Sequence, residues 1–140
     1  MHQFIFFPAS EYDKARVKRE FYSIAGFPNV LGFVDCTHVK IRAPKRNEMD
    51  FVNRKGYHSV NIQMICDPQF LITDVVVKWP GSVHDSRIFR ESSICAKFEN
   101  GQLDGLLLGD SGYACRTFLL TPYLHTQTQS QERAHISRHL

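Results

Sequence analysis

Between Val30 and Gly109 the apolar residues come mostly in runs too short for helices, interrupted by one stretch with helical spacing, and that order limits the fold more than any other feature. "VLGFV", Val30 to Val34, is a continuous apolar run of strand length, and "HVKIR" continues it with alternation. "HSVNIQMIC" alternates Val60, Ile62, Met64 and Cys66 on one face. "DPQF" has the composition of a turn, and "LITDVVVKW" returns as a second β-branched strand, so the two segments predict a hairpin. After "PGS", His84 to Phe98 predicts one helix with Ile88, Phe89, Ile94 and Phe98 available to one side, ended by Asn100-Gly101. "GLLLGD" then returns to strand character. Three meandering strands followed by a helical crossover to a fourth imply a mixed α/β sheet with a parallel pair.

The flanks add less. Ser10 opens a helix through the Ser-x-x-acid pattern of "SEYD", with Val17, Phe21 and Ile24 at helical spacing and Gly26 and Pro28 as the stop. "RTFLLTPYL" fits a short helix or a strand, and "SQERAHISRHL" reads as the start of a further helix. A length of 140 residues suits one domain with a real core, and 43% hydrophobic with 22% charged residues argues against disorder. No apolar run approaches a membrane span, and "MHQFIFFPAS" lacks the basic lead-in of a signal peptide. Cys36, Cys66, Cys95 and Cys115 are scattered without a CxxC pair, which fits a reducing compartment better than a disulfide framework or a zinc site.

Two of the apolar strands end on a carboxylate: "NVLGFVD" on Asp35 and "GLLLGD" on Asp110. If the crossover sets these strands side by side, about 4.8 Å apart, the two aspartates face each other at the C-terminal edge of the sheet, where α/β folds collect ligands. Two carboxylates so close repel unless a cation lies between them. A hard ion such as Mg²⁺ or Mn²⁺ fits, since one or two carboxylates hold it while it keeps water and phosphate oxygens. Such ions can activate a water and stabilise the leaving oxygen in phosphodiester cleavage. Each aspartate taken singly is better explained as a turn cap; the pair in this topology is what favours a cation site. Asp85 in "GSVHDSRIF" has the same double reading, because the first turn of a helix favours an acid.

Net charge is only +3, but it is unevenly placed. From His38 to His58, Lys40, Arg42, Lys45, Arg46, Arg54 and Lys55 stand against Glu48 and Asp50, so 6 − 2 = +4. A polyanion or plain solvent both suit such a segment.

Four motifs, in order, go further. "GFVDCTHVKI", "DFVNRKGYHSVNIQMICD", "FLITDVVVKWPGSVHDSRIF" and "GLLLGDSGY…LLTPYL" resemble the nuclease domain of PIF/Harbinger transposases and of Harbinger transposase-derived nucleases, within the DDE superfamily. The likeness runs from about Phe27 to Leu124. It implies a ribonuclease H-like fold, here incomplete at the C-terminus, with residues 1–26 as an N-terminal helical segment and 27–140 as the nuclease domain. It also implies a divalent-metal endonuclease (Mg²⁺ or Mn²⁺) acting on DNA in the nucleus, or also in the cytoplasm, with a separate DNA-binding protein as partner and no membrane attachment. The resemblance puts the first two acidic residues of the family on Asp35 and Asp110 and makes Asp85 a further metal position. Lys40, Arg42, Arg54 and Lys55 become the DNA-backbone contacts. Cys36 departs from the glycine common in the family. The family's third acid, a glutamate on a later helix, falls beyond Leu140, and Glu132 lies upstream of its place. Three functions therefore stand: a DDE-type nuclease, a non-catalytic DNA- or protein-binding module derived from a transposase, and a fragment that does not fold stably.

Overall fold

The computed structural model describes residues 5–121. Ser10 caps helix α1, Glu11–Ala25, its Oγ accepting the Asp13 N–H at 3.0 Å. Glu11 and Asp13 in the first turn complement the helix dipole. Val17, Phe21 and Ala25 are buried along one stripe, Ile24 is half-buried, and Gly26 closes the helix in the left-handed region with its N–H on the Tyr22 carbonyl.

The chain then builds β1 (Val30–Lys40), β2 (Ser59–Cys66) and β3 (Ile72–Pro80), crosses over through α2 (Asp85–Arg90) and α3 (Ser93–Glu99), and returns as β4 (Leu106–Gly109) and a two-residue β5 (Leu119–Leu120). The strand order is β3-β2-β1-β4-β5. The first three strands are antiparallel neighbours, as the hairpin and meander predict, while β1–β4 and β4–β5 are parallel. The mixed α/β sheet with a parallel pair is therefore present, and "RTFLLTPYL" resolves toward a strand at Leu119–Leu120. Pro122 to Leu124, the predicted tail helix in "SQERAHISRHL" and Glu132 lie outside the described residues.

Two apolar clusters hold the helices to the sheet. Val17 and Phe21 of α1 pack with Val30 and Leu108. Phe89, Ile94 and Phe98 of α2 and α3 pack with Leu31, Val34, Ile65 and Leu107. Strands β1 and β4 contribute to both, so the parallel pair forms the spine of the molecule. At Gly32 the strands and their side chains leave no room: a methyl there would stand 2.5 Å from Ile65 Cγ2 and 3.2 Å from Leu107.

Three expectations need correction. His84 to Phe98 is two helices, because Ser92 Oγ donates to the Phe89 carbonyl at 2.6 Å and accepts the Cys95 N–H at 3.1 Å, which caps a new helix inside the periodic run. Asp35 does not stand at the end of its strand; the ladder with β2 runs on through Thr37 and Val39 to Lys40, as the alternation of "HVKIR" predicts. In β2 the fully buried face is Ser59, Asn61, Gln63 and Ile65, whereas Val60, Ile62, Met64 and Cys66 are half-buried. Alternation gives the period of a strand but not which side faces inward.

Gly32→Ala overpacks the junction of β1, β2 and β4 and is expected to lower stability by about 1–3 kcal/mol. A lower urea midpoint at unchanged m-value checks it.

Candidate active site: paired carboxylates beside a parallel strand end

The parallel ladder pairs Val30 with Leu106, Phe33 with Leu108 and Val34 with Gly109. The next residue on each strand is the aspartate, so Asp35 and Asp110 emerge side by side. Asp110 does so at the true end of β4, whereas Asp35 sits mid-strand, opposite Met64 of β2. Gly109 permits this approach: a Cβ there would crowd Val34, Tyr113 and Leu119, each at 3.2 Å.

Asp35 is half-buried, and its Oδ1 accepts its neighbour's N–H, that of Cys36, at 2.8 Å. Its carboxyl is pushed up to about 6 from an ordinary 3.8. Burial is the largest cause, followed by a hydrogen bond shared with the Asp110 carboxyl and the charge of Asp110; the Cys36 N–H opposes them and the charge of Asp85 adds to them. Half-buried beside Asp110, the Asp35 carboxyl thus holds its proton to a higher pH than a free aspartate does.

Asp110 begins a tight turn. Its Oδ1 accepts the Gly112 N–H at 2.9 Å, and its carbonyl accepts the Tyr113 N–H at 3.2 Å. Gly112 is the point where Asp85 and Asp110 converge, since a Cβ there would lie 2.8 Å from Asp85 Oδ2 and 3.2 Å from Asp110 Oδ1. Asp85 is the first residue of α2, after His84, whose Nδ1 accepts the Ser86 N–H. The helix start accounts for an acid at this position, yet Asp85 Oδ1 also takes a hydrogen bond from the buried Asn61 Nδ2 at 3.0 Å.

Sequence inspection did not find the groups that brace these acids. Ser86 Oγ donates to the Gly112 carbonyl at 3.2 Å and accepts the Ala114 N–H at 2.8 Å, which ties the Asp110 turn to α2. Asn61 also donates to the Val83 carbonyl at 3.2 Å. Behind them Cys36 Sγ lies 3.0 Å from Tyr113 Oη, and that hydroxyl donates to Gln63 Oε1 at 3.4 Å. Burial raises both the Cys36 thiol and the Tyr113 phenol, so both stay protonated donors. The available signal was the pair of amides at period two in β2, a pattern that marks a polar layer beneath a site when the face proves buried.

The predicted cationic residues are all exposed. Lys40 ends β1 with its Nζ 5.5 Å from the Tyr57 ring centroid, and Arg42 follows in the excursion between β1 and β2. Arg54 and Lys55 form the tip of a turn held by the buried Asn53, whose Oδ1 accepts the Lys55 N–H and whose Nδ2 donates to Ser59 Oγ, both at 2.9 Å. An open cleft of about 290 Å³ connects the tip to Asp85, lined by His38, Arg54, Gly81, His84, Asp85 and Gly112 among others. Arg54 alone of the four predicted cations lines it. Among the described residues no group of three His, Cys, Asp or Glu side chains is gathered closely enough to hold a metal ion. The donor set is the Asp35–Asp110 pair with Asp85 in electrostatic reach of it, two hard oxygen ligands short of positive charge.

A family described as DDE superfamily endonuclease matches residues 34–140, a span that contains Asp35, Asp85 and Asp110. The chain belongs to the DDE superfamily of endonucleases. It is similar to the human protein named "Putative nuclease HARBI1", with 44% identity over 98% of this chain and 40% of that one. The Xenopus laevis protein of the same name is 36% identical over 98% of this chain and 41% of its own length. "Protein ALP1-like" of Arabidopsis thaliana is 29% identical over 88% of this chain and 34% of its own. The chain thus spans about two fifths of the length of the human and Xenopus laevis relatives. No solved structure matches it. The resemblance to Harbinger transposase-derived nucleases is shown, and no described helix of this DDE domain is long and apolar enough to cross a membrane. Its four cysteines are free thiols.

The raised Asp35 carboxyl has a thermodynamic consequence. The folded state binds the Asp35 proton more tightly than the unfolded state, so stability falls as pH rises from 3.8 through about 6 and the cost is full above that range. In metal-free buffer Asp35→Asn is therefore expected to be more stable than the parent at neutral pH, by on the order of 1 kcal/mol after allowance for solvent screening of a half-exposed group. The two melting curves should converge below pH 3.8. A constant gap across that range contradicts the assignment.

Proposed function

We propose that this chain is the nuclease domain of a divalent-metal-dependent DNA endonuclease with a ribonuclease H-like core, in which residues 27–140 form the nuclease domain and 1–26 its N-terminal helical segment. The observation that carries this reading is the Asp35–Asp110 pair, held in contact by the parallel ladder with the Asp35 carboxyl raised to about 6. Asp35 and Asp110 are the catalytic metal ligands and Asp85 a further one. What a bound Mg²⁺ or Mn²⁺ supplies there is positive charge for the attacking water or 3′-hydroxyl and for the leaving oxygen.

The chain's own residues do the rest. Asn61 and Ser86 fix Asp85 and the Asp110 turn relative to each other. The Cys36 N–H holds one oxygen of Asp35, leaving the other free to ligate. Lys40, Arg42, Arg54 and Lys55 hold the DNA backbone through charge, a sequence-independent grip that positions without specifying. Sequence choice then falls to a separate DNA-binding protein, and the place of action is the nucleus.

One observation favours a second reading, a DNA-binding module without cleavage: among the described residues the acids do not form a three-ligand group. Plasmid nicking separates the two. The chain in Mn²⁺ is expected to nick supercoiled DNA, and Asp110→Asn or EDTA to reduce nicking by at least about a hundredfold, about 2.7 kcal/mol of barrier. No nicking by a folded chain that still binds DNA would sink the nuclease reading for this chain and leave the binding module.

A further inference from the structure

Outside the acids and the basic excursion, a second group of cations gathers on β3 and α2. Trp79 lies opposite Asn61 in the ladder, and Val77 lies opposite Ile62, so Lys78 between them is the extra residue of a β-bulge. A bulge re-aims its side chains, a device common beside active sites. Here it brings Lys78 Nζ to 4.9 Å from the Trp79 ring centroid. Across the connection, Arg87 of α2 reaches the same indole, its guanidinium carbon 5.1 Å from the centroid, while its Nε donates to Glu91 at 2.9 Å. Arg90 adds a third cation. The Glu91 carboxyl is held below its usual range by the Arg87 hydrogen bond foremost, and then by the charges of Arg87, Arg90 and Lys78.

The position of this group gives it meaning. Gly81 to Asp85, the connection from Trp79 to α2, is one wall of the cleft that ends at Asp85 and Gly112. Arg54 stands on the other wall. Lys78 precedes and Arg87 follows this Gly81 to Asp85 segment in the chain, so the cations lie just outside the cleft, on the two elements that the segment joins. Helix C-terminal charge complementarity explains Arg87 and Arg90 on a six-residue helix, but it does not explain a bulge that turns Lys78 toward them. The indole orders both Lys78 and Arg87 before any ligand arrives, which reduces the entropy lost on binding.

We propose that Lys78, Arg87 and Arg90 around Trp79 form a second nucleic-acid backbone site beside the cleft, so that DNA lying across the cleft is also held on its α2 side. This rests on the reading of the chain as a DNA-acting domain, and it adds the surface that takes the flank on the α2 side. The ligand chemistry is a run of phosphodiesters, for which Arg and Lys supply charge without sequence information.

The test is fluorescence anisotropy with a short blunt DNA duplex in EDTA, over a salt series, for the parent, Lys78→Gln/Arg87→Gln/Arg90→Gln, and Arg54→Gln/Lys55→Gln. Arg16→Gln/Arg19→Gln on α1 controls for net charge. A second variant, Lys78→Gln/Arg90→Gln, leaves the Arg87–Glu91 pair intact in case the triple variant folds poorly. The triple variant is expected to flatten the slope of log K against log salt by about 2–3, and the double variant by about 2. The α1 control should leave the slope unchanged. A parent that binds while both β3–α2 variants keep its slope overturns this proposal alone, and the basic excursion then carries the binding. A parent that binds no duplex at low salt overturns it together with the DNA reading.

Discussion

The parallel ladder between β1 and β4 is the interaction on which everything near the acids depends. Its register ends on Val34 and Gly109, and the next residue of each strand is an aspartate. A slip by one residue would turn one of the two side chains to the opposite face of the sheet. Two packing demands hold the register. Gly32 must face Ile65 and Leu107 because nothing larger fits, and Gly109 must face Val34, Leu119 and Tyr113 for the same reason. Apolar clusters on the two faces then anchor the pair through Val30, Leu31, Val34, Leu107 and Leu108. The acid pair is thus positioned by hydrophobic packing some residues away, which can afford the repulsion it creates.

Beneath the acids the sheet gives up apolar burial for a polar layer. Asn61 and Gln63 are fully buried, and Asn61 Oδ1 and Gln63 Nε2 have no protein partner. Unsatisfied buried groups of this kind cost about 1–3 kcal/mol each. What they maintain is the geometry of Asp85 through Asn61, and of the Asp110 turn through Gln63 and Tyr113. Stability is spent where two acids must be held close, and local rules of strand patterning break at the same place.

That break marks where the sequence stopped being legible. The short apolar runs, the Ser10 cap, the hairpin and the crossover could all be read, because period and turn chemistry are local. The adjacency of Asp35 and Asp110 could be inferred once the crossover was granted. The inward face of β2 could not, since Val60, Ile62 and Met64 look more like a core than Asn61 and Gln63 do; the site, not hydrophobicity, chose the buried side. The division between α2 and α3 turned on one serine with two backbone bonds inside a periodic run. The contact of Ser86 with the Asp110 turn joins residues 26 apart in sequence and leaves no local trace. Nor does a bulge such as that at Lys78 show in a strand rich in valine.

The central claim is that Asp35, beside Asp110, keeps its proton up to a pH of about 6 and that a divalent ion bound to the pair competes with that proton. Mn²⁺ affinity measured by titration calorimetry across pH tests this most directly. The account predicts that affinity rises about tenfold per pH unit below the Asp35 transition near 6, levels off above it, and is lost in both Asp35→Asn and Asp110→Asn. Affinity that is flat through that range, or that survives either substitution, would contradict it.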